Sequence, residues 1–161
     1  MRVFAIDPGT EQSAFVLWDG SRIAQHGILS NPDLLLHLYE SVVVADARDE
    51  EAPIVALEQI ESFGMAVGRS TFETVFWAGR FYQAVQPCPV ARVTRRSVKL
   101  HLCGSARAND ANIRMALIDR FGGSKEVAVG TKAAPGPLYG VKSHCWAALA
   151  VGLTYLDKVK A

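Results

Sequence analysis

The sequence predicts an α/β protein built on a five-stranded mixed sheet that is flanked by helices. Three short strand-like segments near the start are separated only by tight turns, which predicts a three-stranded antiparallel meander. Two later strand-like segments are each reached through a segment of helical periodicity, which predicts strands parallel to the first. The chain has 161 residues, 50% of them hydrophobic, so we expect a single domain over residues 1–161.

The meander is predicted from residues 3–6, 13–18 and 22–28. The first of these segments is apolar throughout, as in a fully buried strand. The second and third flank Asp19 and Gly20, a pair that is typical of hairpin turns because both residues tolerate positive φ.

The rest of the chain alternates between helices and strands. We predict helices over 31–45, 70–85, 94–102, 109–121 and 143–158, and strands over 53–59 and 89–93. Asn31 is expected to cap the first helix, with Pro32 in its first turn, and Ser70 and Glu73 have the spacing of a capping box. Residues 122–142 are rich in Gly and Pro, and a loop of this length indicates a functional or mobile segment.

Two of the predicted strands end on a carboxylate. Asp7 follows the apolar residues 3–6, and Glu58 comes near the end of 53–59. A carboxylate at the end of a buried strand costs several kcal/mol unless a positive group meets it. Adjacent parallel strands lie about 4.8 Å apart, so pairing of these two strands would bring both acids into one crevice. That spacing suits divalent metal ions.

The charges are unevenly distributed along the chain, although the net charge is only +1. Residues 1–68 carry 3 Lys/Arg and 11 Asp/Glu, whereas residues 69–132 carry 11 and 4. The basic middle segment predicts either a face that attracts a polyanion or scattered solubilising charges, and both interpretations stay open here.

The cysteines and the hydropathy pattern indicate a reducing compartment. Cys88, Cys103 and Cys145 are odd in number and widely spaced, which argues against a disulfide framework or a CxxC metal site. The sequence shows no basic leader and no apolar run of membrane-spanning length. We therefore expect a soluble, cytoplasmic protein with no membrane partner.

Four segments, taken in order, resemble the RuvC-type Holliday junction resolvases of the ribonuclease H-like superfamily, which cleave four-way DNA junctions. The segments are AIDPGT, ALEQIESFG, RRSVKLHLCG and SHCWAALAVG. The resemblance covers nearly the whole chain, and the segment GTKAAPGPLYGVKSHCWAALAV is similar to phage and prophage members. It implies a ribonuclease H-like fold and a crossover junction endodeoxyribonuclease that hydrolyses phosphodiester bonds.

The resemblance implies that Asp7, Glu58 and His144 are the catalytic and metal-binding residues. Asp7 matches the first metal-binding aspartate of the family and Glu58 matches its second acid. The last helix of the family carries a D-x-x-D pattern, and His144 and Ala147 stand at those two positions. The implied cofactor is Mg²⁺ or Mn²⁺, with two ions that Asp7 bridges. Glu58 would orient the attacking water, and His144 would bind an ion or act as the base.

Ala147 departs from the family pattern because an alanine cannot bind a metal. Three explanations stay open: His144 acts together with water and the DNA phosphate, the chain carries an inactivating aspartate-to-alanine substitution, or the protein binds junctions without cutting them. Asp110 and Glu61 are spare acids. The place of Asp110 at the start of a helix favours capping or a helix-dipole interaction.

The resemblance also implies a DNA-binding surface and a homodimer. The candidate DNA-binding residues are Arg69, Ser70, Arg80, Arg95, Arg96, Lys99, Lys132 and Phe63. The basic residues would contact phosphates, which supply most of the affinity for DNA. Phe63 would wedge into the junction or, alternatively, cover the edge of the core. Cutting two opposing strands requires two sites, and the helix over 70–85 is either the dimer interface or an ordinary core helix.

Two other functions compete with junction cleavage. The DPGT turn also occurs in sugar kinases and actin-like ATPases, but 161 residues lack the second lobe that clamps ATP, so we expect no nucleotide cofactor. The second competitor is a junction-binding protein without catalytic activity, which Ala147 favours.

Overall fold

The computed structural model describes residues 1–48, 50–62 and 64–161, which contain a five-stranded mixed sheet. The strands are β1 (Val3–Asp7), β2 (Gln12–Trp18), β3 (Ile23–Ser30), β4 (Ile54–Gln59) and β5 (Val90–Thr94), in the spatial order β3-β2-β1-β4-β5. The first three pair antiparallel, whereas β4 runs parallel to β1 and β5 parallel to β4. The predicted mixed sheet is confirmed.

The helices pack on both faces of this sheet. They are α1 (Asn31–Tyr39), a π-helical turn (Glu40–Val44), α2 (Ala45–Ala47), α3 (Arg69–Ala84), α4 (Arg95–Cys103), α5 (Asp110–Gly122), α6 (Lys125–Ala128) and α7 (Cys145–Lys160). Among the described residues, none of these helices is long and apolar enough to cross a membrane.

Alternating side chains of the strands feed two separate cores. Phe4 and Ile6 of β1 point to the face covered by α1 and α3, which we call the α1/α3 face. Val3 and Ala5 point to the opposite face, covered by α4, α5 and α7, which we call the α7 face. This division follows from the two-residue period of a strand.

Helix α7 lies unusually close to the central strand. A Cβ atom added at Gly152 would lie 2.9 Å from the Cβ of Ala5 and 3.8 Å from a methyl group of Val3. The neighbouring strands also present small side chains here, since Ala14 and Ala56 belong to the same core. The missing side chain at Gly152 therefore permits a close approach that brings the start of α7 to the end of β1.

Three predicted helix starts are wrong. Ser30, not Asn31, caps α1, because its hydroxyl oxygen accepts from the Asp33 N–H at 3.2 Å. Ser70 already has a helical backbone, since α3 begins one residue earlier behind the extended Gly68, and the capping box is absent. Helix α7 begins at Cys145 rather than at residue 143, since the residue at 143 has a left-handed backbone.

The segment over 122–142 folds onto the α7 face instead of forming an open loop. It contains α6 and an isolated bridge between Gly130 and Pro135, and Leu138 is fully buried. A Cβ at Gly136 would lie 2.2 Å from the carbonyl oxygen of Val127, so the chain packs tightly on itself. This long segment is therefore packed against the rest of the protein and is not an extended surface loop.

Candidate active site

Asp7 and Glu58 lie side by side at the carboxyl ends of two neighbouring parallel strands. Ile6 pairs with Leu57 in the register of β1 and β4, so the next residue on each strand is one of the acids. Both side chains point to the α7 face and are largely withdrawn from solvent, with 13% and 8% of their surface exposed. The proximity predicted from the two strand ends is present.

This pair of carboxylates is electrostatically strained. Burial is the main cause that raises the pKa of Glu58 well above its usual range, and the hydrogen bond to Asp7 and the charge of Asp7 raise it further. Burial also raises the pKa of Asp7, although the hydrogen bond with Glu58 and the charge of Arg95 oppose that rise. The pair therefore retains a proton more readily than two free acids, and a bound cation would take the place of that proton.

His144 reaches the pair from the residue before α7. Its Nδ1 lies 3.0 Å from Oδ2 of Asp7, and 74% of its side chain is exposed. The preceding residue, Ser143, has φ 49°, a left-handed backbone that is costly for a residue with a side chain and often occurs at functional sites. When Asp7 is ionised and the imidazole is neutral, Nδ1–H donates to the carboxylate, and Nε2 is then unprotonated and available as a ligand or a base.

The turn after Asp7 is fixed by a buried polar network that sequence reasoning missed. The Ser13 hydroxyl accepts from the Gly9 N–H at 3.0 Å and donates to the Asn31 side-chain oxygen at 2.5 Å. The Asn31 amide in turn donates to the Gly9 carbonyl at 3.0 Å. A Cβ at Gly9 would lie 2.2 Å from the Gln12 carbonyl oxygen, so this turn requires glycine. The predicted pairing of β2 with β3 could have indicated this network, because it brings Ser13 beside the end of β3, where Asn31 follows.

A cleft of about 390 Å³ opens beside the carboxylates. Its lining residues are Asp7, Glu58, Arg95, Asp110, Ile113, Ser143, His144, Trp146 and Ala147. The Arg95 guanidinium lies 3.8 Å from Glu58 and also pairs with Asp110. Asp110 does not cap α5, because Asn109 and Asn112 form a reciprocal capping box there, but it lies in the first turn of the helix, as the alternative helix-dipole interaction requires.

The donor set fits one divalent cation bound partly through water. Asp7 and Glu58 offer carboxylate oxygens and His144 offers an imidazole nitrogen, ligand types used by Mg²⁺ and Mn²⁺ sites. Within residues 1–48, 50–62 and 64–161, no three His, Cys, Asp or Glu side chains are positioned to hold a metal by themselves. Water and a substrate phosphate would complete the coordination, as is common for Mg²⁺.

The structure places the predicted DNA-binding residues in different regions. Arg95, Arg96 and Lys99 line a second cleft at the start of α4, directly beside the acidic one. Arg69 and Ser70 are exposed at the start of α3, and Lys132 is exposed in the segment over 122–142.

Two further predictions about DNA contacts have different outcomes. Arg80 is exposed on α3, where its guanidinium lies 4.3 Å from the centre of the Trp77 ring and 5.8 Å from that of Phe76. Phe63, the predicted wedge, lies outside the described residues.

One side of α3 is apolar and exposed. Phe72, Val75, Phe76 and Tyr82 are between 39% and 64% exposed, whereas Phe81 on the other side is buried in the core. The sequence left open whether this helix is a core helix or the dimer interface. One side of α3 does pack in the core, whereas its opposite, apolar side is exposed in the described chain and is available for a partner.

Comparisons with known proteins bear on the fold. No protein-family model and no curated protein matches the sequence. A solved structure of Thermus thermophilus RuvC matches with a TM-score of 0.65 and 19% identity, covering 99% of this chain and 96% of that one. T. thermophilus RuvC in complex with a Holliday junction substrate matches with a TM-score of 0.64 and 20% identity, covering 99% and 95%.

These matches confirm the predicted ribonuclease H-like fold, and they do so over 99% of the chain. Both structures come from one bacterial protein, and the phage-like branch stays a prediction.

Proposed function

We propose that this protein is a metal-dependent endonuclease that resolves four-way DNA junctions. The observation that carries the proposal is the meeting of Asp7, Glu58 and His144 at one cleft, next to the basic start of α4. The same fold in a RuvC structure that holds a Holliday junction substrate supports the choice of DNA.

Asp7, Glu58 and His144 would hold the divalent cation in this proposal. A Mg²⁺ or Mn²⁺ ion held by these residues would supply positive charge to the phosphate and would make water a better nucleophile. Mn²⁺ suits the imidazole better than Mg²⁺ does. The two-ion arrangement implied by the sequence resemblance stays a prediction.

In the alternative role of His144, its Nε2 does not bind the cation, and the imidazole is the candidate base for the attacking water. Its Nδ1–H is held by Asp7, so Nε2 is free to accept the proton of water. The water oxygen forms a bond to phosphorus and the bond from phosphorus to the 3′-oxygen breaks. The products are a 5′-phosphate and a 3′-hydroxyl, whose oxygen takes its proton from solvent.

The basic start of α4 is the best candidate for contact with the DNA backbone. Arg96 and Lys99 lie in the cleft next to the proposed catalytic centre, so a strand bound there would pass the acids. Phosphate contacts of this kind are weakened by salt, and binding should fall steeply as salt is raised.

The exposed side of α3 is the proposed dimer interface. Large apolar side chains such as Phe72 and Phe76 are uncommon in one solvent-exposed group unless a partner covers them. In a symmetric dimer, the exposed sides of α3 from the two copies would cover each other. The second copy would also supply the second active site that paired incisions require.

The test is cleavage of a synthetic four-way junction, with a linear duplex of the same sequence as the control substrate. We expect nicking of the junction in Mg²⁺ or Mn²⁺, none in EDTA and little on the duplex. A second candidate, a junction-binding protein without catalysis, is favoured by Ala147, which lines the cleft where an acid would be expected. A mobility shift of the junction without nicking in either metal would support that candidate and reject the nuclease.

A further inference from the structure

Arg95 lies between the acidic cleft and the basic cleft at the start of α4, and its side chain lines both. It is the first residue of α4, immediately after the end of β5, and 30% of its side chain is exposed. One terminal nitrogen of its guanidinium faces Glu58 and the other pairs with Asp110. The guanidinium is thus anchored between two carboxylates that come from β4 and from α5.

The charges of the cleft balance with a single divalent ion. Asp7, Glu58 and Asp110 contribute three negative charges when they are ionised, and Arg95 contributes one positive charge. With His144 neutral, two negative charges remain, which one divalent cation neutralises. In the absence of DNA, a second divalent cation would leave the cleft with an excess of two positive charges, an unfavourable state in a partly buried site.

The number of donor atoms in the cleft also limits it to one divalent cation. Asp7, Glu58 and His144 line the same cleft, where His144 contacts Asp7. Ala147, which lies one helical turn after His144 and lines the cleft, offers no donor atom. The positive group that approaches Glu58 is the Arg95 guanidinium, at 3.8 Å.

We propose that the cleft takes one divalent cation and that the Arg95 guanidinium supplies the second positive charge to the scissile phosphate. This inference rests on the proposed nuclease function and specifies its ion count. Arg95 is then a catalytic residue, because its planar fork of N–H groups contacts phosphate oxygens well. Asp110 is a positioning residue that holds Arg95 in the cleft.

The first test counts bound Mn²⁺ on the full chain by electron paramagnetic resonance, without DNA. We expect one tightly bound Mn²⁺ per wild-type chain. Arg95→Met should bind Mn²⁺ about tenfold more tightly, because a repelling positive charge is gone. Ala147→Asp should raise the count to two. Arg48→Met, at an exposed site at the end of α2 that does not line the cleft, is the matched control and should bind Mn²⁺ as the wild type does.

The second test measures single-turnover junction cleavage at saturating Mn²⁺. Arg95→Met should cleave about 10²- to 10³-fold more slowly while binding Mn²⁺ more tightly. Arg95→Lys keeps the charge and should recover part of the rate. In the wild-type background, Asp110→Asn should slow cleavage. In the Arg95→Met background, the same substitution should have little further effect.

The outcomes separate this inference from the nuclease proposal. Two tightly bound Mn²⁺ per wild-type chain, or an Arg95→Met variant that cleaves at the wild-type rate, would overturn the single-ion inference and leave the nuclease proposal standing. One bound Mn²⁺ with an intact junction would reject the nuclease proposal, and the catalytic role of Arg95 with it.

Discussion

The two faces of the sheet use side chains of very different size. The α1/α3 face presents Phe4, Ile6, Phe15, Leu17 and Leu57, whereas the α7 face presents Val3, Ala5, Ala14, Val16 and Ala56. Large side chains on the first face bury more apolar area and keep the helices at a distance. Small ones on the second face let α7 approach until His144 contacts Asp7. The α1/α3 face therefore contributes mainly to stability, and the α7 face sets the geometry of the site.

Phe81→Ala should cause the largest loss of stability with the smallest loss of activity. Phe81 is fully buried in the core of the α1/α3 face, so the substitution leaves a large cavity. We expect the free energy of unfolding in urea to fall by about 3–5 kcal/mol. Cleavage per folded molecule should stay at the wild-type rate, measured at a temperature where the variant is folded. A parallel loss of intrinsic cleavage rate would show that the division between the faces is wrong.

Gly152→Val should separate the two faces in the opposite way. The new side chain would overlap Ala5 and push α7 away from β1. We expect a loss of about 1–3 kcal/mol from overpacking, smaller than that of Phe81→Ala, together with a much greater loss of junction cleavage and of Mn²⁺ affinity. Phe81→Ala is the control, since it destabilises the protein without moving α7. Normal cleavage by folded Gly152→Val would mean that the close approach is not required.

Asn31→Ala tests the polar network that links the start of α1 to the turn after Asp7. The substitution leaves the Ser13 hydroxyl and the Gly9 carbonyl without this buried partner. We expect about 1–2 kcal/mol of destabilisation, from urea denaturation, because buried polar groups without partners are costly. Mn²⁺ affinity should also weaken, since the turn positions Asp7. Unchanged affinity for Mn²⁺ would limit the network to a structural role.

Asp157 gives the smallest effect and one that depends on pH. Arg120 holds Asp157 with contacts of 2.6 and 2.9 Å, and His101 contacts it at 2.8 Å, which together lower its pKa to about 2. A carboxyl group with a lowered pKa stabilises the fold above its unfolded pKa, near 3.8, and this contribution is lost as pH falls towards 2.

We therefore expect Asp157→Asn to cost about 1 kcal/mol at pH 6, after allowance for solvent screening, and about half of that at pH 3. Urea denaturation of both proteins at the two pH values measures the difference. A difference that grows as the pH falls would contradict the assigned direction of the pKa shift.

Much of the fold was predictable because its signals are local. The apolar segments that became β1 and β4, the Asp19–Gly20 turn and the two strand-end acids all lie in short stretches of sequence. Helix starts were less predictable, because several polar residues near a start compete for the cap. Ser30 caps α1 while the neighbouring Asn31 is used in the core.

The parts of the site that sequence reasoning missed depend on long-range contacts. From their own surroundings, Arg95 was assigned to DNA contact and Asp110 to capping or a helix-dipole interaction, but the two side chains also pair with each other at the cleft. The role of Gly152 depends on its close contact with Ala5, a residue far away in the sequence, so no local sequence pattern indicates that role.

The central claim is that the acids at the strand ends and the imidazole of His144 form one metal-dependent nuclease centre on the α7 face. The most direct measurement is single-turnover cleavage of a four-way junction in Mn²⁺ by Asp7→Asn, with Asp119→Asn as a control of equal charge change at an exposed position of α5. We predict that Asp7→Asn cleaves more slowly than the wild type by about 10²-fold or more and binds the junction at least as tightly. Asp119→Asn should cleave at the wild-type rate. Equal cleavage rates for the two variants would contradict the account.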